Sequence, residues 1–308
     1  MKRSKLRLGT RGSPLARRQV DLTIAALTMA HPELAEPGAI ETVVIRTTGD
    51  RIVDRPLAEL GGKGLFCKEI EAALLDDEID VAVHSVKDLP TWLPDGLVLA
   101  AVLEREDPRD VLIAREGVTI ETLPAGARVG SASLRRQGQL LALRPDLQLE
   151  MLRGNVQTRL DRVASGAIDA TMLALAGLKR LGFDPVPGIP LDVASFVPAV
   201  GQGAVGLEAR ASDHWTLDLL AAINHRETDV CVRAERAMLD ALDGSCQTPI
   251  GGHAWLDGGQ LHLRGLLAEA DGRHILIADR KGRIDDGVAL GRDAGLELRS
   301  QARPGFFD

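Results

Sequence analysis

The stretch Val81-Ala-Val-His-Ser-Val-Lys-Asp-Leu-Pro90 decides the fold. Its apolar, β-branched beginning is typical of a buried strand in a parallel sheet. Pro90 ends the strand, because proline lacks a backbone donor and turns the chain. Lys87 and Asp88 therefore stand at the carboxyl end of a buried strand, where open α/β sheets bind their ligands. A surface salt bridge between these two side chains is the alternative interpretation.

The N-terminal segment predicts a similar strand-to-helix junction. Leu6 to Leu15 is typical of a strand, a glycine-rich turn and a helix, with Ser13 as N-cap and Pro14 at the first helical position. Arg11 and Ser13 then flank a helix N-terminus, where free N–H groups and the helix dipole favour an anion. An ordinary capped helix with a solvated arginine is the alternative.

Residues 48–64 have no clean periodicity and include Gly61-Gly-Lys-Gly64. A connection of this length inside a compact domain is usually a functional lid or a disordered loop. The glycines lack the spacing of a nucleotide-binding phosphate loop, so nucleotide binding is not predicted. Phe66 opens the helix that leads into the strand at Val81.

A second series of strand-to-helix junctions begins at Val129, Leu149 and Asp169, and Ser133 is the expected cap of its first helix. Arginines occur at or near these junctions: Arg135, Arg136, Arg153, Arg159 and Arg180. The planar guanidinium group suits carboxylates in bidentate fashion. Because the positive charges would repel one another, we expect them to share a polycarboxylate or phosphate ligand. The alternative is that those on the helices point to water.

The chain length and these junctions predict an α/β protein of three domains. The glycine-rich segment that begins at Val200 is expected to form a strand that returns to the first domain, which gives a hinged pair of lobes. The predicted boundaries are 1–104 with 200–222 for domain 1, 105–199 for domain 2 and 223–308 for domain 3. Domain 3 is expected to be α+β, with a helix capped by Thr228 and hairpin signals at Asp257-Gly-Gly and Asp271-Gly.

The composition is that of a soluble globular protein, with 45% hydrophobic and 26% charged residues. The net charge of −7 and the absence of tyrosine argue against general binding of nucleic acid or anionic membranes. The three cysteines have no metal-binding spacing, so we expect reduced thiols in a cytoplasmic protein and no metal. No apolar run of about 18 residues and no signal-peptide core occur.

Cys246 lies in a loop of Gly, Ser and Pro residues, which leaves its thiol accessible. Three classes of protein are compatible with this thiol, the Lys87–Asp88 pair and the arginines. They are an enzyme that holds an acidic intermediate on Cys246, a non-catalytic two-lobe protein that binds anions or carboxylates, and a Cys–His thiol hydrolase. The hydrolase needs a histidine base, and nothing in the sequence places His84 near Cys246. The binding protein explains the arginines but not the accessible thiol.

Eight motifs in fixed order carry a resemblance to a known family and span nearly the whole chain. They are Gly9-Thr-Arg-Gly-Ser-Pro-Leu-Ala16, Gly62-Lys-Gly-Leu-Phe66, His84-Ser-Val-Lys-Asp-Leu-Pro90, Ser133-Leu-Arg-Arg-Gln137, Arg153-Gly-Asn-Val156, Gly177-Leu-Lys-Arg-Leu-Gly182, Gly201-Gln-Gly203 and Gly244-Ser-Cys-Gln-Thr-Pro-Ile-Gly251. With these motifs the chain resembles the porphobilinogen deaminase (hydroxymethylbilane synthase) family. It departs from the family pattern at Ser131-Ala132, where Thr-Ser is expected.

The resemblance implies two αβ domains folded like type II periplasmic binding proteins, a small α+β third domain, and a monomer. It also implies a transferase of tetrapyrrole and haem biosynthesis with a dipyrromethane cofactor, held by a thioether bond to Cys246. Four porphobilinogen molecules would add head to tail, each losing ammonia, and hydrolysis would release hydroxymethylbilane.

The resemblance further assigns roles to individual residues. Asp88 is the expected catalytic carboxylate, because loss of ammonia leaves a cation that needs an anionic partner. The residues expected to hold the cofactor are Lys87, Asp88, Ser133, Arg135 and Arg136. Those expected to contact porphobilinogen or its growing oligomer are Arg11, Ser13, Phe66, Arg153, Arg159, Arg180 and Gln202.

Overall fold

The computed structural model describes residues 5–51, 67–243, 248–303 and 306. The chain divides into two compact units. Among the described residues, unit 1 comprises residues 5–51, 67–106 and 204–229, and unit 2 comprises residues 107–203, 230–243, 248–303 and 306. No described helix is long and apolar enough to cross a membrane.

The strands are β1 (Leu6–Arg11), β2 (Ile40–Ile45), β3 (Val81–Ser85), β4 (Leu97–Val102), β5 (Asp110–Ile113), β6 (Arg128–Gly130), β7 (Gln148–Glu150), β8 (Ala170–Ala174), β9 (Ile189–Pro190), β10 (Val205–Arg210), β11 (Ile250–Asp257), β12 (Gln260–Ala268) and β13 (Ile275–Arg283). The α-helices are α1 (Pro14–Ala30), α2 (Thr48–Arg51), α3 (Lys68–Leu75), α4 (Leu134–Leu143), α5 (Val156–Ala164), α6 (Leu175–Arg180), α7 (His214–Ala221), α8 (Arg226–Ala241) and α9 (Gly287–Gln301).

Unit 1 contains a five-stranded sheet of order β2-β1-β3-β10-β4. Residues of β3 alternate between its faces: Val81 and Val83 pack with the core on one face, and Ala82 packs with Ile70 and Leu74 of α3 on the other. The predicted buried strand is therefore confirmed. The sheet is mixed rather than parallel, because β10 returns late in the chain and runs antiparallel between β3 and β4.

Unit 2 contains a second five-stranded sheet of order β7-β6-β8-β5-β9. Strand β6 is parallel to β7 and β8, whereas β5 is antiparallel to β8 and β9. The two sheets share a pattern. In each, three neighbouring strands are parallel (β2-β1-β3 and β7-β6-β8), and a strand from a distant chain segment, β10 or β5, lies antiparallel next to the third of them. In each sheet the parallel strands direct their carboxyl ends to one edge, which is the edge where α/β proteins bind ligands.

The C-terminal part of unit 2 is a three-stranded antiparallel sheet, β11-β12-β13, with a core shared by α8 and α9. Gly258 and Gly259 have positive φ values of 54° and 75° between β11 and β12, as the predicted hairpin requires. The prediction that Thr228 caps a helix is wrong. Helix α8 begins at Arg226, and the Thr228 backbone N–H donates to Nδ1 of His225 at 3.3 Å.

Candidate active site

A pocket in unit 1 lies at the carboxyl ends of the parallel strands β1 and β3. Its lining includes Arg11, Ser13, Gln19, Cys67, His84 and Asp88. Ser13 caps α1 as predicted, with its Oγ accepting from the Ala16 backbone N–H at 3.2 Å. The structure thus brings together three of the predicted site residues, Arg11, Ser13 and Asp88.

Asp88 ends a 3₁₀ turn, Val86–Asp88, that follows β3 directly. The turn holds its backbone, since the Leu89 N–H donates to the Val86 carbonyl at 3.0 Å and Cys67 Sγ donates to the Asp88 carbonyl at 3.4 Å. The half-buried Asp88 carboxylate has no hydrogen-bond or ion-pair partner within the described ranges. A fixed backbone and an uncommitted carboxylate suit the binding of a cationic group.

In unit 2, Arg135 and Arg136 surround a buried carboxylate that sequence analysis missed. Asp110 accepts from Nη1 of Arg135 at 2.7 Å and from Nε and Nη2 of Arg136 at 3.0 and 2.7 Å. The two arginines are only 4% and 6% exposed. Burial alone would raise the pKa of Asp110, but the two guanidinium groups hold it well below its usual range.

The ion pairs of Asp110 with Arg135 and Arg136 modify the expectation that repulsion among the arginines requires an external ligand. Asp110 neutralises one of the two charges, so one positive charge remains. Arg136 commits all three nitrogens to Asp110 and to the Met172 carbonyl. Among the described residues, Arg135 donates only through Nη1, to Asp110 and the Val197 carbonyl. Arg135 therefore has the greater remaining capacity to bind an anion.

Gln202 and Ser133 are tied to the same region of unit 2. Gln202 Nε2 donates to Asp110 Oδ1 at 3.1 Å and to the Pro108 carbonyl at 2.7 Å. Ser133 caps α4, with Oγ accepting from the Arg136 N–H at 3.4 Å. The Ser133 cap holds the start of the helix that carries Arg135 and Arg136, and Gln202 adds a further donor to their counter-ion, Asp110.

Arg159 lies among positive charges. Its Nε donates to the Gly154 carbonyl at 3.1 Å, and no carboxylate within the described residues pairs with it. Burial, together with repulsion from Arg136 and Arg153, lowers the pKa of Arg159 to about 10. A bound anion would relieve this repulsion, so the group is suited to hold a carboxylate. Arg180 differs, because its Nη2 donates to the Gly203 carbonyl at 2.7 Å.

Replacing Asp110 with asparagine is expected to destabilise unit 2 by about 3 kcal/mol or more, because two buried guanidinium groups lose their counter-ion. Urea unfolding measures this loss. Asp146→Asn is the matched control, since it removes the carboxylate from the more exposed Arg144–Asp146 pair, and it is expected to cost much less. Equal midpoints for the two variants would contradict the structural role of Asp110.

Some predicted residues lie outside the described part of the chain: Phe66, Cys246 and all but the first residues of the proposed lid at 48–64. The other two cysteines, Cys67 and Cys231, are buried. No group of three or more His, Cys, Asp or Glu side chains suited to a metal ion occurs among the described residues.

The fold and these two groups define a class: an α/β protein with clustered guanidinium groups in one unit and, in the other, a carboxylate that lines a pocket. Comparison with known proteins narrows the class. Residues 6–218 match the family model for the porphobilinogen deaminase dipyromethane cofactor binding domain, and residues 230–300 match the model for the porphobilinogen deaminase C-terminal domain.

Curated relatives cover almost the whole chain. A chloroplastic porphobilinogen deaminase of Oryza sativa subsp. japonica is 51% identical over 99% of this chain and 86% of its own length. A porphobilinogen deaminase of Paracoccus denitrificans is 52% identical over 98% of this chain and 96% of its own length. Among solved structures, the periplasmic aliphatic sulphonate binding protein SsuA from Escherichia coli has a TM-score of 0.43 and 16% identity, covering 80% of this chain and 76% of its own.

The chain belongs to the porphobilinogen deaminase family. It is a transferase of tetrapyrrole biosynthesis that deaminates porphobilinogen, condenses four molecules of it head to tail on a dipyrromethane cofactor, and releases hydroxymethylbilane. The predicted family, activity, cofactor and α/β fold class are confirmed, and the non-catalytic binding protein is not supported.

Proposed function

We propose that Asp88 is the catalytic carboxylate of this transferase and that Cys246 carries the dipyrromethane cofactor through a thioether bond. The observation that carries the first assignment is the Asp88 carboxylate itself, which faces a pocket at the carboxyl edge of the unit 1 sheet without a partner in the described chain. The second assignment rests on the motif around Cys246.

The chemistry of the substrate explains why a carboxylate is needed. Loss of ammonia from the aminomethyl group of porphobilinogen leaves a cation delocalised over the pyrrole ring. A fixed carboxylate beside this cation stabilises it, and it can accept hydrogen bonds from pyrrole N–H groups. The carbon–carbon bond then forms as the attacking pyrrole carbon loses its proton, so a nearby base also assists this step. Asp88 can serve both purposes.

The acetate and propionate groups of porphobilinogen require cationic partners. We assign this role to Arg11 and Ser13 in unit 1, and to Arg153, Arg159 and Arg180 in unit 2, with Phe66 and Gln202 completing the contacts. The support is strongest for Arg159, whose surroundings are cationic and whose pKa is lowered to about 10. The side chains of Arg180 and Gln202 also donate hydrogen bonds to backbone carbonyls. Part of their role is therefore structural.

The residues of unit 2 fit the dipyrromethane group, which also carries carboxylates. Arg135 and Arg136 share one internal carboxylate and keep one net positive charge. We assign cofactor binding to Arg135, Arg136 and Ser133, together with Lys87 and Asp88. The chemistry that dipyrromethane supplies is a nucleophilic pyrrole carbon at which the new chain begins.

We also propose a soluble, cytoplasmic monomer of three domains, with the boundaries 1–104 with 200–222, 105–199 and 223–308, and with residues 48–64 as a lid. The net charge of −7 supports a protein without nucleic-acid or membrane partners. Size-exclusion chromatography with light scattering tests the monomer.

Kinetics of Arg159→Gln test the assigned carboxylate site. Loss of a charge-assisted hydrogen bond costs about 1.5–3 kcal/mol, so we expect the KM for porphobilinogen to rise about tenfold or more. Arg162→Gln is the matched control, because Arg162 is exposed on the same helix, α5. Equal KM values for the two variants would remove Arg159 from the substrate site.

A further inference from the structure

Three buried titratable side chains meet on the face of the unit 1 sheet that α3 covers. They are Glu71 on α3, His84 on β3 and Glu208 on β10, with exposed fractions of 3%, 5% and 0%. We call them the buried triad. His84 Nε2 and Glu208 Oε2 are 3.2 Å apart. This contact is not aligned as a hydrogen bond, and neither Glu208 oxygen nor Glu71 Oε1 has a hydrogen-bond partner among the described residues.

Such an arrangement is costly in a purely structural role. A buried carboxylate without hydrogen bonds loses its hydration and gains little in return. Two adjacent buried carboxylates also repel each other when both are ionised. Burial, with a further contribution from the Glu208 charge, raises the pKa of Glu71 to about 7. Glu71 therefore exchanges a proton in the neutral pH range.

The buried triad is continuous with the candidate active site. His84 belongs to the triad through Nε2 and also lines the pocket that contains Asp88. Its imidazole thus lies between that pocket and the two buried carboxylates. A change of charge at Glu71 reaches the pocket through Glu208 and His84, in surroundings of low dielectric constant where such effects are large.

We propose that the buried triad holds an exchangeable proton behind the active site, and that His84 is a positioning residue through which this proton sets the electrostatic environment of Asp88 during turnover. The triad makes no bond to the substrate. The inference rests on the role proposed for Asp88.

Other charged groups also face Glu71 from the elements packed around α3. Strand β4 has no charged residue. Strand β1 presents Arg7 and Arg11 on the sheet face that α3 covers. Arg7 is bound by Asp80 and Asp77, and Arg210 of β10 is bound by Asp80 and Asp213. On α3 itself, Glu69 accepts from Thr48, and the positive charge of Lys68 lowers the pKa of Glu71 against the larger effect of burial.

The first test is the pH dependence of kcat and KM in the cofactor-loaded enzyme. In the wild type we expect an ionisation near pH 7 in the kcat profile. Glutamine resembles protonated glutamate at every pH, so Glu71→Gln should remove this ionisation while KM changes by less than about twofold. Glu78→Gln is the matched control, because Glu78 is exposed near the end of the same helix and should keep the wild-type profile.

The second test uses an exposed residue and so does not depend on tolerance of a core substitution. Lys68→Gln removes a positive charge that favours ionised Glu71, so the ionisation should move to higher pH, on the order of half a unit. Lys281→Gln, an exposed lysine of β13, is the control and should leave it unmoved.

An unchanged kcat profile in Glu71→Gln, or an unmoved ionisation in Lys68→Gln, would overturn the inference. The role of Asp88 is decided separately by the loss of turnover in Asp88→Asn. An inactive Asp88→Asn enzyme together with a wild-type profile in Glu71→Gln would refute the triad alone.

Discussion

Replacement of Asp88 by asparagine is expected to abolish turnover while the dipyrromethane cofactor stays attached. Asparagine keeps the size of the side chain but removes the charge that stabilises the cation left by ammonia. Loss of one preorganised electrostatic contact typically lowers kcat by about 10²–10³. Loss of a full charge that also assists proton removal should lower it further. Product formation from porphobilinogen measures kcat, and the intact mass reports the cofactor.

Asp95→Asn is the control for this experiment. Asp95 is an exposed carboxylate close to Asp88 in the chain, and the same chemical change there should leave kcat unaltered. Wild-type-like activity in Asp88→Asn would remove Asp88 from the mechanism. An inactive variant that has also lost its cofactor would mean that Asp88 acts first in cofactor binding.

Replacement of Cys246 by serine is expected to give a folded, cofactor-free and inactive protein. Sulfur in its thiolate form is a far better nucleophile than a serine hydroxyl, so the bond to the cofactor should not form. Circular dichroism checks the fold, the intact mass reports the cofactor, and product formation reports the activity.

Cys231→Ala is the matched control, because Cys231 lies on α8 and is buried in the core that α8 forms with β11. Alanine preserves an apolar side chain there, so the cofactor and most of the activity should remain. Full activity in Cys246→Ser would eliminate the thioether anchor. Loss of the cofactor in Cys231→Ala but not in Cys246→Ser would move the anchor elsewhere.

The strand-to-helix junctions were predictable because local chemistry determines them. Ser13, Ser133 and Asn155 each accept a hydrogen bond from the backbone N–H three residues later, as a capping residue must. Gly154 has a φ of 115°, which only glycine adopts readily, and it forms the turn before α5. These short-range signals located Arg11, Asp88 and the arginines of unit 2.

Long-range pairing was not predictable in the same way. Asp110 begins β5, and its two arginine partners lie on α4, 25 and 26 residues further along the chain. An acidic residue at the start of the apolar run Asp110-Val-Leu-Ile113 is the only signal of a buried counter-ion. The contact between His84 and Glu208 depends equally on the antiparallel register of β3 and β10, which no local periodicity encodes.

The arginines illustrate how packing modifies an inference from charge alone. Repulsion among positive charges does point to an anion, and for Arg159 no carboxylate in the described part of the chain provides it. For Arg135 and Arg136 the protein itself supplies one negative charge, the carboxylate of Asp110. For Arg135, Arg136 and Arg159 the charge pattern therefore indicates an anion, and the structure shows that Asp110 is such an anion for the first two.

The most direct test of the proposed cofactor attachment is the intact mass of the purified protein, combined with peptide mapping around Cys246. We expect a mass excess equal to two condensed pyrrole units, located on the peptide that contains Cys246. An unmodified mass that remains unmodified after incubation with porphobilinogen would contradict attachment of the cofactor to Cys246.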